Sequence, residues 1–312
     1  MKTIVRRIIM AALLIAILIR PTIPGSSAER ESTNLNIWFV VDASGSMVAK
    51  DVDGKNTRRF EKAQEDATTI IENLPGAKYT AIAQDFSTYT AVPMTSSADA
   101  IIAGLPYFRP KYTLYTKPSN ISELLSYTAD KVLQYKRRFP ERSNVIVFMS
   151  DGEDVSGKEL EVPKTLYGLA EYVVVFGYGS TAGAPMEEIG GYNEKGEYSY
   201  SAISDTFIKS FNSTDSNITL DSDRRVLSKI NEENLRKIAS YTAGEYYHRE
   251  SGAVADTVIN QIKNSGSISH DSSSASVGTR FELYWIFALA LLILLAWEGE
   301  ELLTKLLAER NK

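Results

Sequence analysis

Three apolar runs, residues 36–41 (NIWFVV), 144–150 (NVIVFMS) and 172–177 (YVVVFG), constrain this chain more than any other feature. Runs without polar alternation suit strands covered on both faces, as in a parallel sheet sandwiched between helices. KYTAIAQ, YTAVPM and EYYHR are further expected strands. The segments between them carry helical spacing. RRFEKAQEDATTIIENLPG puts Phe60, Ala63, Ala67, Ile70, Ile71 and Leu74 on one stripe and closes on Pro-Gly. SNISELLSYTADKVLQYKRRFP does the same with Ile121, Leu124, Leu125, Thr128, Val132 and Tyr135, and NEENLRKIASYTAG opens on an asparagine cap. This βαβα order predicts an α/β fold, a doubly wound, mostly parallel sheet with helices on both faces.

In such a sheet the working crevice lies beyond the carboxyl ends of the strands. The first run ends there in DASGSM, with Asp42 at the strand end and Ser44 and Ser46 following at alternate positions. A carboxylate with two hydroxyls returned to the same point forms a hard-oxygen site of low negative charge, suited to Mg2+ or Mn2+. The second run ends the same way, in SDGED, which delivers Asp151 followed by Gly152. Serine and aspartate also cap turns and helix starts. Two acidic strand ends in one sheet favour the metal site.

The totals narrow the chemistry. Cysteine is absent and histidine occurs twice, which excludes disulfides, thiolate catalysis and Cys-type zinc sites, so any metal is held by oxygen. The formal net charge is -5, and no run of consecutive basic residues exceeds three. Nucleic acid is therefore not an expected partner.

Both ends of the chain are apolar. Lys2, Arg6 and Arg7 precede an uncharged run at 8–19, whose helix would reach about 18 Å against a hydrocarbon core of ~30 Å. Residues 1–28 read either as a signal peptide ending at Ser26-Ser27-Ala28 or as an uncleaved anchor, and both export the domain downstream of them. At the other end, NSGSISHDSSSASVGTR (264–280) is a Ser/Gly-rich linker. It leads into FELYWIFALALLILLAW (281–297), expected to be a C-terminal transmembrane helix with Tyr284, Trp285 and Trp297 as interfacial anchors. Residues 298–312 would be a cytoplasmic tail, and the domain at 33–263 would lie outside the cytoplasm at the cell membrane.

DASGS matches the D-x-S-x-S motif of the von Willebrand factor A (VWA) domain, with an apolar strand before it, Met47 after it, and MSDGED at that family's third-loop position. The resemblance implies that Asp42, Ser44 and Ser46 are first-loop ligands of a metal-ion-dependent adhesion site (MIDAS) and that Asp151 is the third-loop ligand. The family's second loop supplies a threonine. Here Ser119, in SNISELL, aligns with it, and Thr116, in LYTKPSN, competes. DASGSMVAKDV with its Arg-rich helix start, GYGSTAGAPM, and INEENLRKIASYTAGEYYHRE resemble one branch, the bacterial membrane-anchored BatA/BatB-like proteins named for Bacteroides aerotolerance. The likeness covers roughly residues 35–262 and thins between Gly191 and Asp223, where no period is readable. It implies a non-catalytic module whose Mg2+ or Mn2+ accepts an Asp or Glu from a protein partner. It also implies association with a MoxR-type AAA+ ATPase system and a part in envelope assembly or stress tolerance.

Two other readings compete with this one. A haloacid-dehalogenase-type phosphotransferase would use Asp42 as nucleophile, but it needs a carboxylate two residues later as general acid/base, and Ser44 stands there. A metal-free structural or sensing envelope protein is the other alternative. GYGSTAG misses the G-x-G-x-x-G spacing and reads as a strand-to-loop turn, and Asp51, Asp53 and Asp154 read as solvated turn residues rather than a second cation site.

Overall fold

The computed structural model describes residues 2–24, 33–54, 56–110, 120–154, 158–192, 198–203, 219–250, 252–266 and 280–310. Two compact units result, Met1–Arg30 with Ser272–Lys312, and Glu31–Asp271. In the smaller unit, α1 (Lys2–Ile19) and β1 (Thr22–Pro24) begin the chain. The larger unit runs β2 (Leu35–Asp42), α2 (Arg59–Asn73), β3 (Lys78–Gln84), β4 (Thr88–Thr95), α3 (Ala98–Gly104), α4 (Ile121–Arg138), β5 (Ser143–Ser150) and β6 (Tyr172–Tyr178). It continues with β7 (Ala184–Pro185), β8 (Glu187–Tyr192), β9 (Tyr198–Ala202), β10 (Thr219–Leu220), β11 (Val226–Ser228), α5 (Glu232–Tyr241), β12 (Glu245–Arg249) and α6 (Asp256–Asn264). Then β13 (Arg280–Glu282) and α7 (Tyr284–Arg310) return to the smaller unit.

Among the described residues, six strands form the main sheet in the order β12-β6-β5-β2-β3-β4. All neighbours pair in parallel except β4, which runs antiparallel to β3 at the edge. Pro93 is tolerated in β4 because an edge strand has one side without ladder partners. The apolar run of β2 explains its central place. Ile37, Phe39 and Val41 join the core beneath α2, α3 and α6, while Trp38 and Val40 join the core beneath α4 and α5. All five are buried, so the strand is stable only with helices on both faces. The expected doubly wound sheet is therefore present.

The polar stretch between Gly191 and Asp223, in which the sequence shows no period, enters a hairpin where it is described. Strands β8 and β9 pair antiparallel with a register shift between Ile189 and Gly191. Beyond the hairpin, β11 pairs with β10 on one side and with β7 on the other in a small separate sheet.

The C-terminal apolar segment departs from a helix at 281–297. Residues Arg280–Glu282 form β13, antiparallel to β1, and the Leu283 amide donates to the Pro21 carbonyl at 2.9 Å. This pairing satisfies backbone groups before the helix begins at Tyr284. The helix then runs without a break to Arg310, through the expected tail, because ELLTKLLAER is rich in helix formers. Among the described residues, no helix is long and apolar enough to cross a membrane. Lys2, Arg6 and Arg7 interrupt α1, and Glu298, Glu300 and Glu301 follow the apolar part of α7. The expected cleavage end at Ser26-Ser27-Ala28 lies outside the described residues.

Candidate metal-binding site

Strands β2 and β5 are parallel neighbours in a register that pairs Val41 with Met149, so their carboxyl ends lie side by side. Asp42 leaves one end and Ser150-Asp151 the other, and all three are fully buried. One Asp42 oxygen, Oδ1, accepts the Ser44 amide at 2.9 Å, and Oδ2 accepts the Ser150 hydroxyl at 2.7 Å. The first contact turns the chain at once, and the 3-10 turn Gly45–Val48 folds it back over the strand end. Ser44 Oγ and Ser46 Oγ are thereby brought to 3.0 Å from each other. Adjacent ligands of an octahedral Mg2+, each about 2.1 Å from the ion, stand about 3.0 Å apart. The two hydroxyls therefore fit one edge of such a shell.

Asp151 is held from two sides. Its Oδ1 accepts the Glu153 amide at 3.0 Å and its Oδ2 accepts Arg59 Nη1 at 2.7 Å. The turn after it needs Gly152, which has φ +76°, and a Cβ there would stand 2.4 Å from the Asn231 carbonyl oxygen. Left-handed backbone and lack of space both require glycine.

Arg59, the first residue of α2, reaches into this cluster with no solvent exposure. Its Nε and Nη2 donate to the two oxygens of Asp51, each at 2.8 Å, a bidentate pair. Its Nη1 also donates to Ser228 Oγ at 2.5 Å, and its Nη2 to the Ser228 carbonyl at 3.1 Å. A Cβ on Gly179 would lie 2.5 Å from Arg59 Nε, so the turn after β6 is glycine to admit the guanidinium. Ser228 in turn donates to Glu153 Oε2 at 2.7 Å.

Four carboxylates, Asp42, Asp51, Asp151 and Glu153, thus share the cluster with the Arg59 guanidinium. Burial, and then the charge of Asp151, push the Asp42 carboxyl up to about 7. The same two causes in the same order push Glu153 up to about 7. Burial also acts against ionised Asp51, but the Arg59 hydrogen bonds outweigh it and hold that carboxyl below its ordinary range. The cluster is short of positive charge on the side of Asp42 and the serines, away from the Asp51–Arg59 pair. A divalent cation suits that deficit.

The second-loop residues Thr116 and Ser119 lie outside the described residues. On either side of them the chain is anchored. Arg109 stacks on Tyr198 of β9, its guanidinium carbon 3.6 Å from the ring centroid, and the Ile121 amide donates to Asp154 Oδ2 at 3.1 Å. Asp51, Asp53 and Asp154 have protein partners, Arg59, Thr57 and Ile121 respectively. Among the described residues, no group of three or more His, Asp or Glu could hold a metal ion. Two carboxylates with hydroxyls make a different kind of site. The β8–β9 hairpin borders the first loop, with Glu187 accepting from Arg58 at 2.6 Å and Arg58 stacked over Tyr200 at 3.6 Å.

Asp42, Ser44, Ser46 and Asp151 lie at or just beyond the ends of the neighbouring strands β2 and β5, where sequence reasoning put them, and all four are buried. That reasoning missed Arg59, Ser150, Glu153 and Ser228. The signal for Arg59 was an arginine on the apolar stripe of α2, one position before Phe60.

Residues 37–153 match the family model described as von Willebrand factor type A domain. Among solved structures, BatB from Bacteroides thetaiotaomicron is 21% identical, with 74% of this chain and 96% of that chain covered and a TM-score of 0.48. An aerotolerance-related membrane protein from Bacteroides fragilis is also 21% identical, covering 74% and 98%, with a TM-score of 0.50. Manganese-loaded TRAP protein from Plasmodium vivax is 14% identical, covering 75% and 73%, with a TM-score of 0.39. No curated protein sequence matches the chain.

Proposed function

Since the chain carries a von Willebrand factor type A domain and shares the fold of the Bacteroides fragilis aerotolerance-related membrane protein, we propose that it is a membrane-tethered, metal-dependent protein-binding module. Mg2+ or Mn2+ would be held by Ser44, Ser46 and a second-loop hydroxyl from Ser119 or Thr116, with Asp42 and Asp151 supplying the negative charge behind them. The observation that carries this reading is the 3.0 Å approach of Ser44 Oγ to Ser46 Oγ beside the buried carboxylate of Asp42, with buried Asp151 following the neighbouring strand. Hydroxyl ligands leave an ion electron-poor, and a carboxylate from a partner protein is what such an ion would attract. The bound ion would supply that attraction; the chain's own residues set its direction and exclude water.

A phosphotransferase is disfavoured on geometry. Both Asp42 oxygens already accept hydrogen bonds, from Ser44 and Ser150, and the side chain is fully buried. Such a carboxylate is a poor nucleophile. The domain is an interaction module, and the resemblance to BatA/BatB-like proteins supports a place outside the cytoplasm, a MoxR-type ATPase system as a neighbour, and envelope assembly or stress tolerance as the setting.

Calorimetric titration of the compact unit, residues 31–271, with Mg2+ and with Mn2+ tests the reading. One site per chain, lost in Asp42→Ala while far-UV circular dichroism is unchanged, is the expected result. A folded wild type that binds neither ion would overturn it.

A further inference from the structure

The helices α1 and α7 belong to one unit and pack against each other in antiparallel fashion. At one end the strands β1 and β13 join them, with Thr22 opposite Glu282, and Arg20 stacks on Tyr284 at 5.7 Å. At the other end, Arg6 Nη2 meets Glu301 at 2.8 Å and Arg6 Nε meets Glu298 at 3.5 Å, while Arg7 meets Glu298 at 2.9 Å. The Arg6 guanidinium also lies 5.6 Å from the centroid of the Trp297 ring. Arg6 and Glu298 are nearly enclosed, with side chains only 10% and 13% exposed.

Between these ends the pair shows the environment an apolar surface. Ile8, Leu18, Leu289 and Leu292 are each more than 60% exposed. A water-soluble pair would turn such residues toward a core. Polar and aromatic groups are arranged around this surface as a lipid bilayer would require: Tyr284 and Trp297 bracket the apolar part of α7, and the ion-pair cluster lies beyond it. What disqualifies each helix alone is charge, basic on α1 and acidic on α7. Of these charges, Arg6 and Arg7 pair with Glu298 and Glu301 across the two helices. Polar groups at membrane depth are tolerated where they face a partner helix and pair with it.

We infer that α1 and α7 enter the bilayer together as one charge-neutralised antiparallel pair, so that residues 2–24 stay on the mature chain rather than leaving as a signal peptide. The start of α1 and the end of α7 then lie on the same side of the membrane. This rests on the membrane-tethered reading, and α7 has its partner only if α1 is retained.

The full chain, with a C-terminal affinity tag, is produced in a bacterial host. Its intact mass is measured, and membranes are washed with alkaline carbonate. The expected result is a mass that includes residues 2–24 and a carbonate-resistant protein. Arg6→Glu with Arg7→Glu lowers the carbonate-resistant fraction about ten-fold, and adding Glu298→Arg with Glu301→Arg restores it to within about two-fold. A membrane-bound chain lacking residues 2–24 would sink the inference and leave the tether standing. Wild type released by carbonate would sink both. Reversal without effect, or without rescue by the fourfold exchange, would show that the ion pairs do not join the helices.

Discussion

Arg59 and Asp151 form an ion pair in which neither side chain has any solvent exposure, with Nη1 2.7 Å from Oδ2. The pair crosses from the start of α2 to the end of β5 and fixes the third loop of the candidate site against the first, since Arg59 also grips Asp51.

Removing one partner of a buried pair strands the other charge, which costs about 3–5 kcal/mol. Arg59→Met, which leaves Asp51 and Asp151 without their cation, is expected to lose a stability of that order in urea unfolding of the 31–271 unit. Arg59→Lys keeps the charge but not the bidentate grip and should fall between. A loss under about 1 kcal/mol for Arg59→Met would mean that the pair contributes little beyond its own desolvation.

The second-loop ligand is separable by substitution. Ser44→Ala and Ser46→Ala should each weaken Mg2+ binding about ten-fold or more. Ser119→Ala matches that loss if Ser119 completes the site, and Thr116→Ala matches it if Thr116 does. Calorimetric titration of the four variants side by side identifies the ligand.

Proton linkage predicts a specific pH response without metal. The folded carboxyls of Asp42 and Glu153 are raised to about 7, above their unfolded values near 4. Folding therefore takes up protons, so their contribution is full below pH ~4 and is lost as pH rises through about 7. In chelator-treated protein, the stability of wild type relative to Asp42→Asn should fall as the pH is raised from 5 to 8. Saturating Mg2+ should remove most of that fall. Parallel pH profiles for the two chains in urea unfolding would refute it.

Gly152 has no substitute in this backbone. Gly152→Ala places a Cβ 2.4 Å from the Asn231 carbonyl at φ +76°. Strain of about 1–3 kcal/mol corresponds to a fall of several degrees in Tm, at about 2–4 °C per kcal/mol for a unit of this size. Differential scanning fluorimetry checks it, and the loss of Mg2+ affinity should exceed that of a destabilised variant far from the site, such as Gly168→Ala.

The strands and the site's outline were legible because burial on both faces leaves a direct trace in composition. Residues 37–41 are all apolar since each faces one core or the other, and the chain turns polar where the strand leaves the sheet, at Asp42. The helices were legible for the same reason, through the stripes that cover those strands. The region from 191 to 223 was not, because β8 and β9 are only partly buried and their half-exposed Tyr198 and Tyr200 serve to stack on arginines from elsewhere in the chain.

By itself the sequence determined which side chains end the two central strands, and hence that one carboxylate and two hydroxyls follow the first and a second carboxylate follows the other. Local spacing suffices for that, since Asp42, Ser44 and Ser46 are neighbours and each strand's apolar run marks its own end. Tertiary structure alone decided that Arg59 satisfies Asp151 across 92 positions, that Ser150 holds Asp42 across 108, and that Arg6 meets Glu298 from opposite ends of the chain. Charge partners carry no periodicity, and which of them meet depends on strand order and helix packing rather than on any nearby residue.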